Sequence, residues 1–112
     1  MAARFETLEV ALEWAAVLRP ALERIARRDP DLGRQVRRAV ASVALNLAEG
    51  AERAGKDRLH LYRVAAGSLA EAGTGLRLAR AWRWIVARDL EQTEALADRL
   101  RALLFRLTHP GG

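Results

Sequence analysis

The clearest helical pattern of the chain lies in residues 29–50, which read Asp-Pro-Asp-Leu-Gly-Arg-Gln-Val-Arg-Arg-Ala-Val-Ala-Ser-Val-Ala-Leu-Asn-Leu-Ala-Glu-Gly. Asp29, Pro30 and Asp31 combine a capping acid with a proline that ends the preceding helix, and Gly50 and Gly55 mark the end of this one. Between them the apolar residues recur every three or four positions, which is the period of a helix with one buried face: Leu32, Val36, Val40, Val43 and Leu47. The pattern predicts a helix over about residues 31–53.

The first helix is predicted over about residues 7–28. Its apolar stripe consists of Leu8, Leu12, Ala15, Leu18, Leu22 and Ile25. Pro20 lies inside this stripe, where it removes one backbone donor and favours a kink. Because the stripe keeps its phase on both sides of Pro20, we expect one bent helix and not two separate ones.

The third predicted helix, about residues 56–87, is apolar on two sides. One stripe is expected to face the bundle: Leu59, Tyr62, Ala65, Leu69, Ala72, Leu76 and Ala79. The other side carries Val64, Leu78, Trp82 and Ile85, with Gly67 and Gly75 in line between them. A domain of this size has no second core to cover that side, so we expect it to contact another copy of the chain. The alternative is a break in the helix near Gly73.

Asp89 is predicted to cap the fourth helix, over about residues 89–108. No segment shows the strict alternation of a half-buried strand. Short connections make consecutive helices neighbours, so residues 1–112 are predicted to form one all-α domain, an antiparallel up-and-down four-helix bundle.

The composition restricts the chemistry that the chain supports. It has 112 residues, 51% of them apolar, which is enough to form one hydrophobic core without disulfides or structural metal ions. It contains no cysteine, which excludes disulfides and thiolate metal sites and fits a reducing cytoplasm. Met1–Glu9 has the features of mature sequence and not of a leader, and the longest uncharged stretch, Ala39–Ala48, is too short to span a membrane. We expect a cytoplasmic protein without metal or cofactor.

The charge is positive and unevenly placed. The formal net charge is +5, and residues 31–88 hold 11 basic and five acidic groups. Arginine supplies 18 of the 19 cations, and arginine forms bidentate pairs with phosphate. A polyanion partner therefore becomes plausible, although the codon bias of a GC-rich genome explains the same composition.

Two segments resemble motifs of the four-helix bundle family encoded in the intervening sequences of bacterial 23S rRNA. Arg37, Arg38, Ser42 and the run Asn46-Leu-Ala-Glu-Gly50 stand where that family has two arginines, a serine and Asn-Ile-Ala-Glu-Gly. Ala66-Gly-Ser-Leu-Ala-Glu71 matches its Gly-Ser-Leu-x-Glu element. The resemblance covers about residues 5–105. It departs at Ala44, where the family often has proline, and at Trp82-Arg-Trp84, which replaces a Leu-Gly-Tyr-like segment.

The resemblance implies an up-and-down bundle that assembles as a ring, commonly a homopentamer, with no enzymatic activity. A related branch is the accessory variability protein of diversity-generating retroelements, a pentameric barrel with a basic surface that associates with reverse transcriptase and nucleic acid. The expected partners are therefore further copies of the chain, RNA or DNA, and a protein such as reverse transcriptase.

Candidate nucleic-acid-binding residues lie in and after the second helix. Arg34, Arg37 and Arg38 fall opposite its apolar stripe, and Arg53, Lys56, Arg58 and Arg63 surround the second connection. In a ring these cations would form a multivalent surface for phosphate. A solvated or salt-bridged face is the alternative. Four more arginines form a further basic row beside two tryptophans: Arg77, Arg80, Arg83 and Arg88, with Trp82 and Trp84. The tryptophans are candidates to stack on bases, although the commoner role of such residues is as core or interface anchors.

The polar motif residues are predicted to be structural. Ser42 and Asn46 are four residues apart on one helix face, where a buried amide fixes helix register. Glu49 accompanies them beside Gly50, and Glu71 belongs to the second motif. Both carboxylates are candidates to pair with Arg37 or Arg38 within or between subunits, which adds Glu71 to the predicted interface.

An enzymatic function finds little support. A di-iron bundle needs paired Glu-x-x-His elements, and the chain offers only Asp57-x-x-His60. Gly73-Thr-Gly75 lacks the preceding strand of a phosphate loop, and Ser68 has no histidine nearby in sequence. We therefore predict a non-enzymatic homo-oligomeric accessory protein that binds RNA or DNA electrostatically. The alternative is a protein-binding scaffold without direct nucleic-acid contact.

Overall fold

The computed structural model describes residues 5–111, which form four helices and no strand: α1 (Glu6–Arg28), α2 (Pro30–Ala51), α3 (Gly55–Ala81) and α4 (Ala87–Thr108). Connections of one to five residues make consecutive helices antiparallel neighbours, and α4 packs against α1 as well as α3. The predicted all-α four-helix arrangement is confirmed. The predictions about Met1–Arg4 and Gly112 lie outside the described residues.

Each helix contributes one stripe to a common core. Its largest fully buried side chains are Trp14, Leu18, Ile25, Val36, Val43, Leu47, Ile85, Leu100 and Leu104. The predicted inner stripe of α3 is buried, except for Leu59, which is half-buried. The predicted stripe of α1 is wrong at Leu12, which is 48% exposed. Leu12 lies about 120° from Leu18 around the helix, outside the buried arc that Val10, Ala11 and Trp14 occupy.

The helix boundary at residues 28–32 follows from local chemistry. The Asp29 carboxylate accepts a hydrogen bond from the Leu32 backbone N–H at 3.0 Å, and Pro30 occupies the first position of α2. There a proline loses no hydrogen bond, since the first amides of a helix have no partner within it. In α1 the helix runs unbroken through Pro20, which confirms the predicted single helix, while the kink at Pro20 stays a prediction.

The boundary between α3 and α4 differs from the prediction. α3 ends at Ala81 instead of about residue 87, because the backbone of Arg83 turns left-handed with φ +63°. The amide of Trp84 then donates to the carbonyl of Ala79, and that of Arg83 to Arg80, each at 2.9 Å. This pair of bonds terminates many α-helices.

The position of this turn contradicts two further predictions. Ile85 was predicted to face another copy, but it points into the core and is 2% exposed. Asp89 was predicted to cap α4 directly, but α4 begins at Ala87 and Val86 is the cap residue. Asp89 is the third residue of the helix, and its carboxylate accepts the Val86 amide at 2.8 Å while its own amide donates to the Val86 carbonyl at 2.9 Å, so it caps α4 from inside the first turn.

Two buried glycines let helices approach closely. A Cβ atom at Gly33 would lie 2.7 Å from the Ala26 Cα, so α2 touches the backbone of α1 there. A Cβ atom at Gly75 would clash with the Val36 side chain of α2. Gly75 also lines the pocket between α2 and α3, and its predicted place in an interface between copies stays a prediction. Around Gly67 and Gly73 there is open space within 4 Å.

Alanine substitutions at two glycines should change stability in opposite directions. Gly33→Ala is expected to lower the free energy of unfolding by about 1–3 kcal/mol, because the methyl group overpacks against backbone. Gly73→Ala, the matched control, should raise it by roughly 0.5–1 kcal/mol through better helix propensity. Chemical denaturation of both variants measures this. Equal destabilisation by the two would contradict the close α1–α2 contact.

Candidate functional site

The two motif segments of the sequence meet where α2 packs against α3. The Ser42 and Ser68 hydroxyls are hydrogen bonded at 2.7 Å. The Asn46 side-chain amide donates to the Ser42 carbonyl at 2.8 Å and to its hydroxyl at 3.0 Å. All three side chains are half-buried. This chain of hydrogen bonds defines one register of α2 against α3.

Glu49 and Gly50 lie at the end of the same contact. A Cβ atom at Gly50 would lie 2.7 Å from a ring carbon of Tyr62, so only glycine lets that ring pack here. Glu49 forms an ion pair with Arg53 at 3.1 Å. Arg58 donates to the carbonyls of Gly50 and Ala51 at 3.2 and 3.3 Å and thereby closes the carboxyl end of α2. These two arginines thus have partners within the chain.

Part of this helix pair remains open to solvent. A pocket of about 320 Å³ lies between α2 and α3, with Gln35, Glu71 and Leu78 among the residues that line it. Arg38 and Glu71 line an adjoining cleft. Val64 and Leu78 are 36% and 39% exposed. We call this surface the α2–α3 face, and it comprises Gln35, Arg38, Ser42, Asn46, Val64, Gly67, Ser68, Glu71 and Leu78.

The predicted nucleic-acid-binding residues are all exposed but do not form one patch. Arg34 pairs with Asp31, Arg37 lines a groove between α1 and α2, and Arg38 lies on the α2–α3 face. The connection after α2 is more than about 25 Å from Arg34 along the helix axis. It carries Arg53, Lys56 and Arg58, with Arg63 two turns into α3. The two groups lie toward opposite ends of the bundle.

A different concentration of charge appears where α1 ends, α2 begins, α3 ends and α4 begins. We call this the arginine end and define it as residues 24–34 and 77–91. It holds four carboxylates, Asp29, Asp31, Asp89 and Glu91, and eight arginines: Arg24, Arg27, Arg28, Arg34, Arg77, Arg80, Arg83 and Arg88. The opposite end, defined in the same way as residues 5–10, 47–59 and 104–111, holds four cations and five carboxylates. The net charge is therefore +4 at the arginine end and −1 at the opposite end.

Most arginines of the arginine end form no ion pair with a carboxylate of the described residues. Among the described residues, Arg24 pairs with Asp89 and Arg34 with Asp31. The other six arginines have no carboxylate within ion-pairing distance in that part of the chain. The sequence predicted two separate basic groups here, Arg34 in α2 and the row from Arg77 to Arg88. It did not predict that they meet, because the four helix ends that form this surface are far apart in the chain.

Asp89 is the best-connected carboxylate of the arginine end. Its pKa is lowered, chiefly by the hydrogen bond from the Val86 amide, and further by the hydrogen bond and charge of Arg24 and by the charge of Arg88. Partial burial opposes this shift. Asp89 therefore stays ionised while it holds α4 to the preceding turn.

Two apolar features lie outside these surfaces. A shallow groove of about 620 Å³ runs between α1 and α2, with Leu12, Ala16 and Ala41 among its lining residues. Leu45 is 67% exposed one helical turn beyond Ala41. The groove was not predicted, because the helical spacing placed Leu12 in the core stripe of α1.

Neither a metal-ligating cluster nor a membrane-spanning helix occurs among the described residues. Within residues 5–111 no group of three or more His, Cys, Asp or Glu side chains is placed to hold a metal ion. The Ser68 hydroxyl faces that of Ser42. None of the helices in this part of the chain is long and apolar enough to cross a membrane.

Comparisons with known proteins identify relatives of the chain. The sequence model of a family described as 23S rRNA-intervening sequence protein matches residues 11–106. No curated protein matches the sequence. A crystal structure from Bacteroides thetaiotaomicron, of a protein with unknown function from the S23 ribosomal protein family, superposes with a TM-score of 0.79. The match covers 91% of this chain and 97% of that chain at 16% identity, which shows a shared fold.

The Asp89→Asn variant tests the electrostatics at the start of α4. The folded-state pKa lies below the unfolded value, so the stabilisation is complete above the unfolded pKa of about 3.9 and is lost as pH falls through the folded pKa. At pH 7 the variant should lose roughly 0.3–1 kcal/mol of unfolding free energy. The deficit should shrink below about pH 4.

Asp98→Asn is the control, since Asp98 pairs only with the exposed Arg101 along α4. Its effect at pH 7 should be smaller. Denaturant titrations at pH 3 and pH 7 measure both variants. A deficit of equal size for Asp89→Asn at the two pH values would disprove the assignment.

Proposed function

The chain belongs to the 23S rRNA-intervening sequence protein family, and from this premise we propose that it is a non-enzymatic, homo-oligomeric accessory protein that binds RNA or DNA electrostatically. Its proposed place is the cytoplasm, beside a nucleic-acid enzyme such as a reverse transcriptase. The observation that carries the proposal is the arginine end, with eight arginines and four carboxylates.

The arginine end suits a phosphate backbone. Six of its arginines have no ion-pair partner within residues 5–111, so their charge is available to a ligand. Arginine binds phosphate through a planar fork of donors, and each phosphate neutralised releases condensed counterions. Arg37 and Arg38 lie two turns into α2 and extend this positive region along the bundle. Contacts of this kind fix position and carry little sequence preference.

The α2–α3 face supports self-association. Val64 and Leu78 offer apolar surface, and the space around Gly67 admits a close neighbour. Arg38 and Glu71 place a cation and a carboxylate side by side, so two copies offer each other complementary charges. A ring would repeat the arginine end in every subunit, and linked weak sites bind a polymer more tightly than one site.

A protein-binding scaffold without nucleic-acid contact is the second candidate, and the groove between α1 and α2 favours it. Leu12 and Leu45 expose apolar surface on both sides of Ala41, beyond the α2–α3 face. A groove of this kind fits an amphipathic helix of a partner protein. This candidate predicts that the purified chain ignores nucleic acid while a partner protein still binds to it after nuclease treatment.

Two double variants with equal charge change locate the nucleic-acid surface. Arg27→Gln/Arg28→Gln removes two unpaired cations from the arginine end, and Lys56→Gln/Arg63→Gln removes two from the group predicted around the second connection. By fluorescence anisotropy at about 0.1 M salt, the first should bind a single-stranded oligonucleotide about tenfold more weakly than the wild type. Its salt slope should fall by about 1.4. The second should change affinity less than about twofold.

If Lys56→Gln/Arg63→Gln weakens binding and Arg27→Gln/Arg28→Gln does not, the nucleic-acid surface lies at the second connection. Salt-independent binding, or none by the wild type, would disprove electrostatic recognition and favour the scaffold.

Leu78→Glu tests self-association through the α2–α3 face. A carboxylate buried without a partner is costly, so the variant should dissociate while its helix content stays unchanged. Leu12→Glu is the matched control, because Leu12 is 48% exposed on α1, in the groove between α1 and α2 and away from this face. Light scattering after size exclusion measures the mass, and circular dichroism the helix content. A monomeric wild type, or dissociation by Leu12→Glu alone, would contradict the assignment.

A further inference from the structure

Trp82 is the most conspicuous apolar group of the arginine end. Its side chain is 52% exposed in the connection between α3 and α4. The ring is tilted by 54° against that of Trp84, with 4.9 Å between the centroids. Trp84 is half-buried against the core and supports Trp82 from within. A large aromatic ring is thus held in a defined position with much of its surface in water.

The backbone beside Trp82 is in an unfavourable conformation. Arg83 is the one non-glycine residue within 5–111 with positive φ, at the helix-terminating position that glycine most often occupies. Strained backbone persists where the surroundings enforce it, and it clusters at ligand sites. At this position an arginine side chain adds a charge beside the exposed indole ring, which glycine would not supply.

We propose that Trp82 stacks on an unpaired base of single-stranded RNA or DNA whose phosphates lie on the arginine end. This inference rests on the proposed function, and it identifies the ligand of the arginine end as single-stranded nucleic acid. Base faces are accessible in single strands, and aromatic platforms within basic grooves bind them with little sequence preference. Arg80, Arg83 and Arg88 lie within six residues of Trp82, so base and phosphate contacts can form together.

A lipid surface fits this end less well. Leu78, Trp82 and Val86 are the large exposed apolar side chains of the arginine end, and the remainder of its exposed surface is mainly charged. Interfacial helices bury a continuous apolar face, which this connection lacks.

The test compares a fluorescent single-stranded 12-mer with the duplex of the same sequence. Trp82→Ala should bind the single strand about tenfold more weakly, whereas Trp82→Phe should retain most of the affinity. Duplex affinity should change less than about twofold, since paired bases offer no free face. The salt slope should stay that of the wild type, because no cation is lost.

Arg83→Gly provides a second variant. Relief of the left-handed strain should raise the denaturation midpoint, while loss of one phosphate contact should lower the single-strand salt slope by about 0.7. A slope equal to that of the wild type, with unchanged affinity, would remove Arg83 from the site.

The outcomes separate this inference from the proposed function. If the wild type binds and Trp82→Ala binds the single strand equally well, stacking is overturned while electrostatic binding stands. If the wild type binds no nucleic acid, both fail. A changed mass of Trp82→Ala in light scattering would place Trp82 between copies, as the sequence predicted, and overturn the stacking role. Loss of binding to anionic vesicles without loss of single-strand affinity would also overturn it.

Discussion

The helices α2 and α3 pack against each other more closely than side chains larger than hydrogen would allow at two positions. This packing requires glycine at both ends of the contact, where Gly75 admits Val36 and Gly50 admits the Tyr62 ring. Between them, Ser42 and Ser68 join the helices by a hydrogen bond. A shift of either helix by one turn would bring these polar groups against apolar side chains and leave them without partners, which costs more than the bonds contribute. This single register brings the two motif segments together.

Periodicity predicted the helices because most of each buried face is read directly from spacings of three and four. It failed where the backbone leaves the helix without a glycine or proline to mark the place. Leu78, Trp82 and Ile85 continue the helical spacing, yet the left-handed turn at Arg83 separates them and sends Ile85 into the core. Leu12 failed for another reason, since the width of the buried arc depends on which neighbours pack against α1.

The candidate surfaces were predictable to different degrees. The second stripe of α3 is exposed at Val64 and Leu78, in line with the sequence, because both sides of one helix can be read from one segment. Five of the eight arginines of the arginine end were identified from sequence, but their clustering was not, because charge density in space depends on which helix ends are neighbours. Likewise, the sequence could not show that Arg53 and Arg58 are already engaged with Glu49 and the end of α2.

The unequal charge of the two ends makes the molecule an electric dipole. In an antiparallel bundle the backbone dipoles of neighbouring helices largely cancel, so the side chains set its direction. The two ends carry net charges of +4 and −1 in a molecule 42 Å long. The electric field of a polyanion therefore exerts a torque on the molecule. The chain would turn its arginine end forward before contact, and orientation of this kind raises association rates steeply at low ionic strength. Copies arranged side by side in the same direction would add their dipoles into one positive rim.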